Sequence, residues 1–398
     1  MIKTREELLM ALTEASELEH GLACQYLFAV YSMKPPNDPT LTASQKAKLN
    51  QWRLKIVRIA KEEMEHLATV TNLLSAIGGA PHFQRPNFPQ PPKFYPPDIP
   101  FELERFGDDS LSRFVRFEQN EKAPGPEAAL APEEISYKHV GELYAEIIEA
   151  FQTLPEAQLF LNTASQDVDL IGGPVHPDRA DNRDQAVAAL TSLMAEGEAY
   201  EDPTEYSHYH VFFGVLSELR AEVAANPSFD PARKVLKNPL TRTHRGVTGG
   251  NLITNLDTRA AVELFNCLYT SMILVFQQYF AFGGESAEQR EVLNGALIDL
   301  MKFVIKPLAL LLTGLPAIEG EDDGETAGPS FEFYGQYRLS AIPKVAWAVI
   351  IEKLTQEIDD ATTLAAKYAA TPTGDPGFGG VVTSVTMVRD NLQAAKPN

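Results

Sequence analysis

The stretch Ile56–Leu73, IVRIAKEEMEHLATVTNL, decides how this chain is read. Ile56, Ile59, Glu63, His66, Val70 and Leu73 recur at three- and four-residue spacing and so share one stripe of a helix. That stripe is apolar apart from Glu63 and His66. Three acids compete in the run from Glu62 to His66, but Glu62 shares its side with the polar Lys55, Arg58, Glu65 and Thr69, which leaves Glu63 as the inward carboxylate. A Glu and a His three positions apart project from the same face and can reach one point in a bundle core. An ionised carboxylate in an apolar interior needs a partner. A divalent metal supplies one; a neighbouring basic side chain is the plainer alternative.

The helix carrying this stripe is predicted to begin near Thr42, where Thr42 and Gln45 form a capping box, and to stop at Gly78-Gly79. An earlier helix is predicted from Thr4, boxed with Glu7, to Ser32, ahead of Pro35 and Pro36. Its line Leu12, Ala15, Glu19, Leu22, Tyr26 and Val30 holds a single acid among core residues, whereas Glu14 and Glu17 fall off that line. Residues 80–135 are rich in proline (PHFQRPNFPQPPKFYPPDIPF). So long an irregular stretch seldom persists in a compact domain unless it covers something. It is expected to form a belt over a bundle, with a short helix near Leu111–Gln119.

Further helices are predicted over Ser136–Thr153, then a short helical piece, a loop from Asp167 to Asp184, a helix over Gln185–Tyr200 and, past a break at Pro203, another over Glu205–Ala225. The last of these repeats the first pattern as Glu205-x-x-His208. His208 heads the apolar line Val211, Phe212, Val215 and Leu219 and should face the core, while His210 faces away. Its carboxylate has two candidates: Glu205 by spacing, and Glu198, which continues the line Val187, Thr191 and Met194. Both can bind if the chain bends at Pro203. In the third helix Glu142, Glu146 and Glu149 share a stripe with His139, the pattern of a solvated face, so phase leaves a ligand role for Glu142 open. His82, His176 and His244 occur singly and read as non-ligands. Two Glu-x-x-His helices with one carboxylate from each of two others are the ligand set of a two-metal site in a four-helix bundle.

With 398 residues, 44% of them hydrophobic, the chain is longer than one bundle and can bury a sizeable core. A bundle is expected over residues 1–225, its belt at 80–135, and a helical C-terminal extension packed on it over 226–398. That extension should hold long helices near Thr258–Phe282, Glu288–Leu312 and Ile342–Tyr368. Strand signals are nearly absent, so the fold class is all-α. A net charge of -20 argues against nucleic acid or an anionic membrane as partner. The apolar run Leu264–Phe282 is interrupted by Asn266, Gln277 and Gln278 and reads as a buried core helix rather than a membrane span. Cys24 and Cys267 form no motif, and the opening MIKTREELLM reads as a charged helix start and not as a signal peptide; both suit a reducing cytoplasm.

The chain resembles the ferritin-like domain of the iminophenyl-pyruvate dimer synthases of bacterial bisindole pathways, of the violacein and rebeccamycin types, and of their stand-alone relatives. The likeness rests on ELEHGLACQYLFAVYS (Glu17–Ser32), EEMEHLATVTNLLSAIGG (Glu62–Gly79), VGELYAEI (Val140–Ile147), EGEAY (Glu196–Tyr200) with SHYHVF (Ser207–Phe212), and LFNCLYTSMI (Leu264–Ile273). It covers the first 225 residues well and the rest thinly, and the synthases are far longer chains in which this domain is one part. The resemblance implies that Glu142, ahead of Tyr144, is a ligand. It also favours Glu198, in the Gly197-Glu198 pair ahead of Ser207-His208-Tyr209, over Glu205. The expected ligands are then Glu19, Glu63, His66, Glu142, Glu198 and His208, with Glu205 and Glu146 as alternative or supporting carboxylates.

Mixed carboxylate and imidazole ligation suits two iron ions, with manganese as the alternative. The expected function is oxygen- or peroxide-dependent oxidation of a small organic substrate, which the resemblance narrows to an amino-acid-derived imine. Tyr26, Tyr144 and Tyr209 are expected to line its approach. A closed, metal-stapled accessory domain of a biosynthetic cluster and an iron store are the alternatives. The expected partners are a small-molecule substrate and, as an open alternative, further copies of the chain.

Overall fold

Two capping boxes start the two longest helices of the site. Thr4 accepts from the Glu7 backbone while Glu7 reaches back, and α1 (Arg5–Ser32) follows; Thr42 and Gln45 do the same for α2 (Ala43–Ala76). The second helix stops where Gly78 takes a positive φ of 91° that a side chain would strain. The structure is a computed structural model that describes residues 2–90, 99–119, 141–162, 165–167, 176–198, 206–243, 249–321, 324–371 and 374–398. Among the described residues the regular structure is almost wholly helical; two-residue strands β1 (Pro239–Leu240) and β2 (Asn251–Leu252) pair in parallel. The fold is all-α.

The described residues fall into two units. The first lies within Met1–Ala80, Pro89–Val168 and Val175–Arg233, and the second within Pro81–Phe88 and Lys234–Asn398. In the first unit α1 packs along α2 and against α4 (Gly141–Thr153). A single turn, α5 (Glu156–Leu159), leads on to α6 (Arg183–Glu198), which packs on α4, α2 and α7 (His208–Ala225). Arg183 ties α6 to the end of α4, donating to the carbonyl of Phe151 at 2.8 Å and to that of Leu154 at 2.6 Å. Buried Asn72 on α2 pins the loop before α6, accepting from the Asp167 backbone at 3.0 Å and donating to the Asp178 carbonyl at 2.9 Å.

The belt earns its order from α1. The Phe106 backbone donates to the buried Ser32 hydroxyl at 2.8 Å and the Glu102 backbone to Gln25 Oε1 at 3.2 Å. At Gly21 an added Cβ would sit 3.0 Å from the ring of Phe101, so glycine lets the belt lie directly on the helix. These anchors deliver α3 (Asp108–Phe117), close to the short helix expected at Leu111–Gln119. Tyr26 of α1, Phe114 of α3 and Phe212 of α7 then form a triangle of rings with centroids 4.6, 4.8 and 5.2 Å apart. Each such pair adds about 0.5–1.5 kcal/mol beyond its burial.

The second unit contains α8 (Leu256–Ala281), α9 (Ala287–Asp299), a π-helical turn at Leu300–Ile305, α10 (Lys306–Leu312), α11 (Pro343–Ala369) and α12 (Phe378–Ala395). The π turn precedes Pro307, which cannot donate to the helical ladder. By length and composition α8 could cross a membrane, but most of it is buried within this unit. Its polar residues are satisfied there: Asn266 donates to Ser330 Oγ at 2.8 Å, Ser271 to Glu357 at 2.8 Å, and Gln278 to Glu285 at 2.5 Å. The helix α12 was not expected. Its glycines and β-branched residues (FGGVVTSVT) have low helical propensity, yet Val381, Val385, Val388 and Leu392 form a buried stripe.

Candidate metal centre

Five titratable side chains meet in the first unit. Glu19 comes from α1, Glu63 and His66 from α2, Glu118 from the residue capping α3, and His208 from the first position of α7. All five are buried, none more than 6% exposed. They form two groups that share Glu63: Glu19, Glu63 and His66, and Glu63, Glu118 and His208. In each group the candidate ligand atoms lie within 4.8 Å of one another. These are two candidate metal-binding clusters.

The arrangement is nearly symmetric about Glu63. Its Oε2 lies 3.3 Å from His66 Nδ1 and its Oε1 3.0 Å from His208 Nδ1. Glu19 Oε2 is 3.6 Å from His66 Nδ1, and Glu118 Oε2 is 3.6 Å from His208 Nδ1. Both imidazoles thus turn Nδ1 inward, their rings stacked 5.6 Å apart. Each outer nitrogen meets a carboxylate: His66 Nε2 lies 3.2 Å from Glu196 Oε2, and His208 Nε2 3.2 Å from Glu62 Oε2. Each terminal carboxylate also accepts from a buried phenol, Glu19 from Tyr144 and Glu118 from Tyr26, the latter at 2.5 Å.

The donor set fits divalent metal. Among the described residues, Glu19 Oε2, Glu63 Oε1 and His208 Nδ1 are buried without a hydrogen bond. His208 Nδ1 and Glu63 Oε1 are close enough to bond but are not aligned on each other. That is the geometry of two ligands aimed at a third atom, and buried polar atoms otherwise stay unpaired only at a cost of about 1–3 kcal/mol each. The atoms surround a cavity of about 30 Å³, large enough for a water or an ion, bordered also by Phe117, Leu193, Met194 and Gly197. At Gly197 an added Cβ would stand 3.3 Å from Glu118 Oε2, so this glycine admits the carboxylate.

Electrostatics show how tightly the groups are coupled. Burial and the neighbouring Glu63 push the Glu19 carboxyl up to about 8. Burial also raises Glu118. For Glu63 burial acts the same way, but His208 and His66 outweigh it and hold its carboxyl below the usual range. Burial opposes a charge on the imidazoles, yet the carboxylates around them raise both well above the ordinary histidine value. Without a metal the raised carboxyl and imidazoles hold protons that a bound metal would displace.

The structure brings together four of the six expected ligands: Glu19, Glu63, His66 and His208. The carboxylate expected from the third long helix is supplied by the belt. Tyr144, Ile147 and Phe151 form the buried face of α4, and Glu142 and Glu146, each two residues from Tyr144, point about 200° around the helix from it. Both are half-buried, and among the described residues neither joins a group. Glu118 takes that place. The line Leu111, Phe114, Val115 and Glu118 carries the same signal that selected Glu19 and Glu63, one acid on an apolar helical stripe. The side chain of Glu198, and the whole of Pro203 and Glu205, lie outside the described residues.

Two other expectations change. Glu62, read as part of the polar face, is half-buried and bonds both Arg58 at 2.8 Å and His208. Of the three tyrosines expected along the approach, Tyr144 lines the cavity and Tyr26 grips Glu118. Tyr209 is turned about 100° from His208 and stacks on Phe213 at 5.9 Å instead.

Comparison with known proteins places these residues in context. A family profile described as ferritin-like matches residues 12–217. Dichlorochromopyrrolate synthase of Lentzea aerocolonigenes is 30% identical over 83% of this chain and 36% of its own length. The 2-imino-3-(indol-3-yl)propanoate dimerase of Chromobacterium violaceum is 29% identical over 82% of this chain and 34% of its own length. The chain therefore spans about a third of the length of the curated relatives it matches. Among solved structures, a ferritin-like protein from Caulobacter vibrioides aligns with 75% of this chain and 95% of its own at a TM-score of 0.48 and 17% identity.

Proposed function

The chain belongs to the ferritin-like family, and from that premise we propose that it is a dimetal carboxylate oxidase acting on a small organic substrate, with iron in the site or manganese in its place. The supporting observation is the convergence of unbonded, buried Glu19 Oε2, Glu63 Oε1 and His208 Nδ1 around Glu63. The name of one relative points to a 2-imino acid as the substrate class, in keeping with an amino-acid-derived imine.

Glu19 with His66 would hold one ion and Glu118 with His208 the other, with Glu63 between them. Two redox-active ions held there would supply the electrons for reducing an oxidant such as dioxygen while a substrate is oxidised. The protein's own groups do the rest. Tyr144 and Tyr26 restrain the terminal carboxylates by donating to one oxygen of each, leaving the other for the cavity. Glu196 and Glu62 fix the imidazoles through Nε2. Phe117, Leu193 and Met194 give the cavity an apolar wall. Organic ligands occupy sites of about 300–1,000 Å³, so the substrate is read as meeting the site at this rim rather than inside the cavity of about 30 Å³.

That small volume also favours a second reading, a closed site in which metal staples an accessory protein. One experiment separates them: anaerobic ferrous loading of the full chain, metal analysis, then an oxygen pulse. Oxygen consumption in proportion to bound iron supports the oxidase. Two retained ions without consumption support the staple.

A further inference from the structure

The two histidines are braced unequally. His66 Nε2 meets Glu196, whose side chain is 46% exposed and which, among the described residues, makes no other hydrogen bond or close ion pair and feels Arg58 only as a charge beyond ion-pair distance. His208 Nε2 meets Glu62, whose side chain is 21% exposed and is also held by the Arg58 guanidinium at 2.8 Å. Arg58 in turn lies over the ring of Tyr206, 3.8 Å from its centroid, two residues before His208. Ser207 between them caps α7, its hydroxyl accepting from the His210 backbone. Arg58, Glu62 and Tyr206 thus connect the outer edge of α2 to the chain that presents His208.

A carboxylate accepts from the imidazole, so a bond at Nε2 keeps the retained ring proton there and, once Nδ1 gives up its own, leaves the Nδ1 lone pair facing Glu63 and Glu118. Such outer partners fix ring orientation and tautomer, and their loss typically weakens metal binding about 10–100-fold. An exposed glutamate held by one bond must lose rotamer freedom to act this way. One already fixed by an arginine has lost it beforehand. The difference between Glu196 and Glu62 is therefore a difference in preorganisation.

We propose that Glu62, fixed by Arg58, is the positioning residue for His208, and that this brace makes the His208 subsite hold its ion more tightly than the His66 subsite. The proposal rests on the two-metal reading above. It assigns a task to the acid immediately before the shared ligand: Glu62 serves the histidine of the neighbouring helix, while Glu63 and His66 on the same helix bind directly. No atom changes its bonding partner through Glu62; its effect passes entirely through the orientation of the ring.

The test is a cobalt(II) titration of the full chain, with apo melting temperatures as the control for folding. Wild type is expected to bind two ions in two unequal steps. Glu62→Gln should weaken the tighter step about 10–100-fold and leave the weaker step within about threefold, whereas Glu196→Gln should affect only the weaker step. Arg58→Gln, on the exposed end of the brace, should weaken the tighter step several-fold, and it decides the matter if Glu62→Gln does not fold. In zinc-loaded, nitrogen-15-histidine-labelled protein the His208 Nε2–H resonance should shift in Glu62→Gln, which a merely structural role would not cause. Equal loss in both steps, unchanged binding, or an unshifted His208 resonance overturns the proposal. Failure of the wild type to bind two ions overturns the two-metal reading instead.

Discussion

Glu63 Oε1 and His208 Nδ1 stand 3.0 Å apart, both buried and neither hydrogen-bonded to the other, while the second oxygen of Glu63 faces His66. One carboxylate thus belongs to both halves of the site. Glu63→Gln is expected to abolish binding of both ions, because it removes the only ligand common to the two clusters. Glu19→Gln and Glu118→Gln should each leave one ion bound. Metal stoichiometry by elemental analysis after desalting reads all three; equal loss in the three variants contradicts the shared role of Glu63.

Metal affinity should rise with pH. The Glu19 carboxyl, pushed up to about 8, and both raised histidines must give up protons to act as ligands. Below about pH 8 the proton on Glu19 competes, at about tenfold in affinity per pH unit for each proton displaced. Binding near pH 6 should therefore be at least about tenfold weaker than near pH 8, with protons released into weakly buffered solution. The same raised values mean that these groups stabilise the metal-free protein at low pH and lose that contribution as pH rises, from the ordinary values toward the folded ones. The melting temperature gained on metal loading should consequently widen with pH. A constant gain contradicts it.

Gly197→Ala should weaken the subsite of Glu118 and His208. Its Cβ would stand 3.3 Å from Glu118 Oε2, tighter than ordinary contact, so the carboxylate must move from its position. Gly214→Ala on α7 is the control, since nothing lies within 4 Å of its added Cβ. Helical propensity alone should make that variant about 0.5–1 kcal/mol more stable. Melting curves and metal titrations of the pair check both halves, and an unaltered tighter binding step in Gly197→Ala would falsify the role given to the glycine.

Tyr26→Phe removes the phenol that donates to Glu118 at 2.5 Å and keeps the ring contacts with Phe114 and Phe212. The metal-free protein should lose about 1–3 kcal/mol, the penalty for a buried acceptor left without its donor. Tyr144→Phe should do the same at Glu19. In metal titrations each variant should disturb a different binding step, the first that of His208 and the second that of His66. A common effect on both steps would contradict the division into two clusters.

Helical phase made much of this site legible. Glu19, Glu63 and His66 each lie on an apolar stripe, and a polar ligand on such a stripe has nowhere to point but the core. The same rule applied to the belt would have found Glu118, which caps a helix of ten residues inside a proline-rich stretch that looks like cover. Glu142, favoured by the resemblance where phase left it open, stands outside both described groups: its stripe is polar, and its neighbour Tyr144 faces the centre instead. Glu62 was hidden by a different limit. Its inward reach to His208 depends on α7 passing beside α2, a tertiary contact that no periodicity within α2 encodes. The helix α12 escaped because propensity disfavours it and only its burial stripe declares it.

The central claim is that Glu63 lies between two metal ions. Anomalous diffraction from crystals of the full chain grown with ferrous iron under anaerobic conditions tests it most directly. Two iron peaks flanking Glu63, one beside Glu19 and His66 and the other beside Glu118 and His208, are predicted. A single peak, or peaks held by Glu142 in place of Glu118, would contradict the account.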